Sequence, residues 1–433
     1  MIPILYNPPR TSWPQLTARP SIASDLITGQ VQTILQAVRA EGNNALLRLT
    51  SRFDGVSLTS LQVLEQDLNQ ADSQLSDSLK QSISIAAENI NRFHKPQKDD
   101  KIDFVETMPG VICWRKAVPV QHVGLYVPGG SAPLFSSVLM LGIPARIAGC
   151  KDIVLCSPPD KNGKINPAIL FAAKCAGIRK VFIVGGAQAI AAMAYGTETI
   201  PRVDKIFGPG NQFVTKAKEI LQSEGVAIDL PAGPSEVLIW ADHTGQPNFI
   251  AADLLSQAEH GPDSQVAFLT TERTLMKKSI LQIEQQLEML PRKKIAEASL
   301  SNSKFIVFDS TDDIIDFINS YAPEHLIINT ENADQDALRI DHAGSVFIGN
   351  YTPEAVGDYA SGTNHTLPTS GSAKAYSGVS VDSFMKYITY QRCSKAGLER
   401  LAPVVEEMAE AENLMGHKRA IQERMKSLNQ DVS

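Results

Sequence analysis

Between residues 119 and 348 the chain alternates short β-rich runs with helix-length segments, and it does so twice. The first round contains "HVGLYV", "DIVLC", "KVFIV", "DKIF" and "VAID", with helical stretches at 136–149, 166–177, 187–195 and 211–223 between them. The rhythm restarts at 235 with "EVLIWA", "QVAFL", "FIVF", "HLII" and "SVFI". Continuous apolar runs of this kind belong to strands buried on both faces, which means parallel sheets covered by helices on either side. Two sets of five strands predict two similar α/β/α domains, a pattern consistent with an old duplication. The expected division places residues 119–234 in one domain and residues 21–118 with 235–375 in the other.

The flanks read differently. Residues 1–20 carry Pro3, Pro8, Pro9, Pro14 and Pro20 and are expected to form an extended arm. Residues 21–94 have helical apolar spacing, with Val31, Ile34, Leu35 and Val38 on one face. "DFVETMPGVICWRKAV" (103–118) reads as a hairpin around Pro109-Gly110. Residues 358–380 form a long Gly/Ser/Thr-rich loop, of the length that tends to carry function. The last segment, 376–433, is expected to be a small helical domain of two helices broken near Gly416. Its apolar stripe (Leu398, Leu401, Val405, Met408) needs another surface, because so small a unit cannot bury a core alone.

Composition removes several function classes. A net charge of −7 with scattered basic residues gives no nucleic-acid face. No apolar run is long enough to span a bilayer, and "MIPILYNPPR" lacks the pattern of a signal peptide. Five cysteines without a CxxC spacing argue against a disulfide framework and against a cysteine zinc site. The expectation is a cytoplasmic protein that binds neither nucleic acid nor membrane.

Chemistry-bearing residues cluster at strand and helix ends. "VPGGS" (127–131), "VGGAQAI" (184–190) and "FGPGN" (207–211) each put glycine at a strand end, where backbone can approach a phosphate beside a helix N-terminus. That reading gives a nucleotide cradle including Tyr126, Gln188 and Asn211. Tight strand–helix turns alone would also explain the glycines, and none of the three matches GxGxxG. In "SQAEHGPDSQ", Gln257 and His260 share one face of a helix's last turn. Such a pair is usually a cap, and Gln is a weak metal ligand. In "PAGPSEV", Ser235 either points into a cleft or caps a turn. In "YAPEHLII", Glu324 and His325 sit at a bend before a buried strand, which brings a carboxylate and an imidazole to one place as candidate bases. Asp358 and His365 belong to the glycine-rich loop, and Glu412 and His417 flank the expected break at Gly416. A carboxylate and two histidines added to Gln257 would form an N₂O₂ set suited to zinc, manganese or cobalt, with positions open for substrate.

The strings "GLYVPGGSAPLFSSVLMLGIPARIAGC", "VGGAQAIAAMAYGTE", "KIFGPGNQFV", "PAGPSEVLI", "DLLSQAEHGPDSQ", "PEHLII" and "GDYASGTNHTLPT" together resemble the histidinol dehydrogenase family, in order and spacing, across almost the whole chain. The resemblance implies oxidation of L-histidinol through L-histidinaldehyde to L-histidine, with reduction of two NAD⁺, at the end of histidine biosynthesis. It implies two α/β/α domains of an incomplete Rossmann-like, aldehyde-dehydrogenase-like kind, an N-terminal arm, a small C-terminal helical domain and an intertwined homodimer. One zinc per subunit would be held by Gln257, His260, Asp358 and His417, with Glu324 and His325 as catalytic bases. Ser235, His365 and Glu412 would join the zinc ligands and His325 as substrate contacts, and Tyr126, Gln188 and Asn211 would contact NAD. Two rivals stand beside it. One is a cysteine-nucleophile aldehyde dehydrogenase using Cys113, since Cys150, Cys156 and Cys175 read as core. The other is a zinc hydrolase using Glu324.

Overall fold

A computed structural model describes residues 2–19, 24–99, 101–129, 133–230 and 233–430. Gly130 and Ser131 of the first glycine-rich strand end, Pro231 and Ala232 of "PAGPSEV", and the expected domain start at residue 21 lie outside them.

Fourteen strands are described: β1 (Ile4–Tyr6), β2 (Phe104–Met108), β3 (Val111–Pro119), β4 (His122–Tyr126), β5 (Asp152–Ser157), β6 (Lys180–Ile183), β7 (Lys205–Phe207), β8 (Ala227–Ile228), β9 (Glu236–Ala241), β10 (Gln265–Thr270), β11 (Lys304–Val307), β12 (His325–Asn329), β13 (Ser345–Ile348) and β14 (Met385–Cys393). One sheet has the order β6-β5-β4-β7-β8, and a second has the order β1-β11-β10-β9-β12-β13. Every neighbouring pair in both is parallel. Counted from β4 in one sheet and β9 in the other, each shows the spatial order third-second-first-fourth-fifth. The repeated rhythm of the sequence is therefore a repeated topology.

The second sheet gains a strand that the sequence reading does not supply. The N-terminal arm is more than extended chain: Ile4, Leu5 and Tyr6 pair in parallel with Phe305, Ile306 and Val307. Trp13 then anchors the arm, packing edge-on against Phe308 and Phe317. All six residues of β9 are buried. Val237 and Ile239 face one apolar cluster, and Leu238 and Trp240 face another across the sheet.

The grouping of residues 21–118 with 235–375 needs correction. Val31, Ile34, Leu35 and Val38, with Ala45, Leu46 and Leu49, pack into the same core as Val154, Phe182, Ile190 and Ala217. The peptide N–H of Val63 also donates to Val181 O at 3.0 Å. These helices cover the β4–β8 sheet, because that sheet's apolar face is where their stripe finds a surface.

The hairpin at 103–118 forms as expected but belongs elsewhere. The chain divides into two compact units, Met1–Gln97 with Val120–Phe384, and Lys98–Pro119 with Met385–Ser433. In the second unit β3 pairs antiparallel with β14 along nine residues and with β2 on its other edge. The C-terminal segment is thus a strand followed by two helices, Lys395–Ala411 and Met415–Gln430, and not helices alone. The break lies at 412–414, where Asn413 takes φ +58°, and Gly416 falls inside the following helix.

Candidate active site

Among the described residues, two cavities of the first unit hold the candidate residues. The larger, about 910 Å³, opens at the carboxyl ends of β4, β5 and β6. Tyr126, Gln188 and Asn211 all line it, with Pro158 and Gly186 between them and Arg48, Arg52 and Asp54 on the opposite helix. The Tyr126 phenol oxygen accepts the Gly186 peptide N–H at 3.1 Å, and burial pushes its pKa up to about 12, so it stays a neutral hydroxyl. Asn211 caps the helix Gln212–Ser223, its Oδ1 accepting from Phe213 and Val214 N–H at 3.0 and 3.2 Å. The glycine of "FGPGN" is obligatory: Gly208 has φ +122°, and a Cβ there would stand 2.0 Å from the Tyr126 carbonyl oxygen. Lys218 and Asp229, both buried, hold this turn; the Gly208 N–H donates to Asp229 Oδ2 at 2.8 Å and Lys218 Nζ donates to Gly208 O at 3.1 Å.

The smaller cavity, about 140 Å³, is where the acid–base candidates meet. Ser235, Gln257, His260, Glu324, His325, Asp358 and His365 line it, with Ser137, Gly208 and Asp229 from the other sheet's side. Ser235, Glu324 and His325 lie at the amino ends of β9 and β12. The small cavity thus lies at the amino ends of β9 and β12 and at the carboxyl ends of β7 and β8, where Gly208 and Asp229 follow their strands. Glutamate and histidine reach the cavity together because the chain bends there: Ala322 ends the helix Thr311–Tyr321 at φ +52°, and Pro323 follows.

His325 Nδ1–H donates to the Glu236 carbonyl at 2.9 Å, which fixes the ring and leaves Nε2 as the nitrogen that can exchange a proton. Nε2 has no hydrogen-bond partner and stands 3.5 Å from Asp358 Oδ1. Burial lowers the pKa of His325, but Glu354, Glu324 and Asp358 outweigh it and hold it well above the ordinary imidazole value. Glu324 accepts the Glu236 N–H at 2.8 Å, and burial pushes its pKa up to about 8 against the pull of His325. Burial also raises Asp358, yet the His325 imidazole 3.5 Å away brings it below the usual carboxylate range. His365 is spoken for on both sides: Nδ1–H donates to Asp358 O at 3.0 Å, and Nε2 accepts the Ser137 hydroxyl at 3.0 Å.

The helix-end pair is not a cap. Gln257 is 1% exposed, and neither its Oε1 nor its Nε2 has a partner. A buried amide left unsatisfied costs free energy unless a ligand meets it. His260 stands at the rim, with burial depressing its pKa and Asp358 opposing the depression. The donors Gln257, His260 and Asp358 around one cavity therefore fit a borderline divalent cation. Another trio, His325, Glu354 and Asp358, also brings three ligand-type atoms within 4.8 Å of one another. There Glu354 Oε1 approaches Nδ1 at 3.7 Å while Asp358 approaches Nε2, so the two carboxylates face opposite nitrogens of one ring whose Nδ1 is already bonded. That arrangement surrounds an imidazole better than it surrounds an ion.

Glu354 escaped the sequence reading. It is 2% exposed, and burial pushes it up to about 8. Its spacing of four from Asp358 on the helix Glu354–Tyr359 was the available signal. Glu412 and His417 belong to the second unit and are exposed there; the lining of the small cavity is drawn entirely from the first. No cysteine lines either cavity. Cys113 lies on β3 in the second unit, burial pushes Cys150 up to about 12, and it raises Cys156 and Cys175 as well, so none of these three is an activated thiolate.

Two parallel α/β sheets, one with a ligand-sized cleft and both contributing to a cavity of paired bases, define an α/β enzyme with acid–base machinery. A family model described as histidinol dehydrogenase matches residues 17–425. A histidinol dehydrogenase of Bacteroides thetaiotaomicron is 53% identical over 428 residues, covering 99% of this chain and 100% of that one. One from Escherichia coli O157:H7 is 50% identical over 421 residues, covering 96% of each. The crystal structure of histidinol dehydrogenase from Elizabethkingia anophelis matches with a TM-score of 0.96 at 52% identity, covering 99% of both chains. The chain belongs to the histidinol dehydrogenase family. By that membership it is an oxidoreductase with the family's place in histidine biosynthesis. Among the described residues, no helix is long and apolar enough to cross a membrane.

Proposed function

We propose that this chain oxidises L-histidinol through L-histidinaldehyde to L-histidine in the cytoplasm, as an NAD-dependent enzyme whose small cavity is the catalytic site. The observation that carries the reading is His325: its Nδ1 is tied to a backbone carbonyl, so its unpartnered Nε2 is the base that faces the cavity beside Glu324. Gln257, His260 and Asp358 would hold a zinc ion, with His417 from a partner copy as the fourth ligand. When bound, zinc supplies a Lewis-acidic anchor for the imidazole and amine of histidinol, and NAD⁺, in the cleft of Tyr126, Gln188 and Asn211, supplies the hydride acceptor. Ser235, His365 and the partner's Glu412 would contact the substrate, making the protein a homodimer with shared sites.

The chain's own residues then divide the work. His325 Nε2 takes the alcohol proton in the first oxidation. Glu324, as a carboxylate, takes a proton from the water that adds to the aldehyde carbon. His325, having released its first proton to solvent between the two steps, takes the hydroxyl proton of the resulting diol in the second oxidation. The buried cavity wall keeps other water from the aldehyde. Glu324→Gln tests the division: aldehyde oxidation should fall about a hundredfold or more, and alcohol oxidation much less. Equal losses in separately measured steps would refute it.

A further inference from the structure

We propose that Arg19 and Glu236 are positioning residues for the reaction, a buried ion pair that sets where both bases stand. The inference rests on the reading of Glu324 and His325 as those bases. Glu236 opens β9, and its own peptide groups hold the two side chains. Its N–H donates to Glu324 Oε2 at 2.8 Å, and its carbonyl accepts from His325 Nδ1 at 2.9 Å. A shift of this one residue's backbone would move both bases at once.

The Glu236 side chain is fully buried and gripped from two directions. Arg19 Nε donates to Oε1 at 2.9 Å and Arg19 Nη2 to Oε2 at 2.7 Å, a bidentate fork that fixes angle as well as distance. The Ser370 peptide N–H donates to Oε1 at 2.9 Å, bringing in the loop that carries His365 and follows the helix of Asp358. Arg19 also reaches the other side of the site. Its Nη2 donates to Tyr321 O at 3.0 Å, and its guanidinium carbon lies 3.5 Å from the Tyr321 ring centroid. Tyr321 is the last residue of its helix, three positions before Glu324. The Arg19 guanidinium therefore ties the start of β9 to the bend that delivers both bases. Displacements well under the size of an atom are enough to slow proton transfer, which gives such a pair leverage on rate.

Arg19→Lys is the first probe, because it keeps the charge and removes the fork. Glu236→Gln is the second, because it keeps the shape and one acceptor pair. Each is compared with the unaltered enzyme for kcat, KM, the pH profile of kcat and thermal stability. In both variants kcat should fall about tenfold or more, KM for histidinol and NAD⁺ should stay within about twofold, and the acid limb of the profile should move. If either folds poorly, kcat is taken per folded subunit. Arg19→Ala with added guanidinium ion should then recover part of the lost kcat. A lowered melting temperature with kcat per folded subunit and pH profile unchanged would overturn the proposal. Glu324→Gln and His325→Asn run alongside; full activity in those two would instead remove the underlying reading of the bases.

Discussion

His325 has carboxylates on every side: Glu354 and Glu324 each 3.7 Å from Nδ1, and Asp358 3.5 Å from Nε2. Without a cation or substrate to share that charge, the folded protein binds protons that the unfolded chain would release. Glu324 and Glu354 are pushed up to about 8 and Asp253 to about 7, each by burial first, and His325 is held above its ordinary value. The unfolded counterparts of these groups have lost their protons by about pH 7. Between about pH 7 and 9 the native state therefore holds more protons than the unfolded state, and stability must fall as pH rises. Thermal unfolding of the chelator-treated protein should show this decline, with a shallower slope in Glu324→Gln. A melting temperature that rises across the same interval would contradict the charge arrangement.

The helix Pro247–Ala258 shows what an element can give up for function. Its face is apolar throughout the core side, yet its last turn buries the amide of Gln257 with neither atom bonded. Gln257→Met replaces that amide by an apolar group of similar length. The metal-free protein should then unfold at the same temperature or slightly higher, because an unsatisfied buried group has been removed. Zinc retained after dialysis should fall at least about tenfold, on the scale of losing a ligand. A large drop in metal-free stability would make Gln257 a packing residue instead. The strands beside this helix were legible because apolar residues run unbroken from Val237 to Ala241 in β9 and from Val266 to Leu269 in β10. β14 was not, since "MKYITYQRC" is exposed over nearly its whole length and has no apolar face to announce itself. The break after Ala411 was misplaced for a similar reason: Asn413, not glycine, adopts the left-handed conformation. Gln257, Glu324, His325 and Asp358 were legible as chemistry, and the cavity gathers them. Arg19 and Glu236 were not, because nothing local marks two residues 217 positions apart as a pair.

At the scale of the molecule, the first unit carries both cavities and the second carries Glu412, in the break between its helices, and His417, in the first turn of the helix that follows, both exposed. The second unit is small, and Phe104, Val105, Tyr387, Ile388 and Met408 are exposed on it, the apolar surface a symmetric partner would cover. If ligands are shared between copies, two inactive proteins, Gln257→Ala and His417→Ala, should complement each other after partial unfolding and reassembly. Random pairing makes half the dimers mixed, each with one intact site, so about a quarter of wild-type activity should return. Mixed dimers without activity would place each site within a single chain. The account as a whole stands on two successive oxidations at one cavity of paired bases. The most direct measurement supplies limiting L-histidinol with excess NAD⁺ to the purified, zinc-loaded protein and counts NADH against the product formed. The account predicts two NADH per histidinol, L-histidine as the product and loss of turnover on thorough chelation. One NADH per histidinol with the aldehyde accumulating, or turnover with no NADH at all, would contradict it.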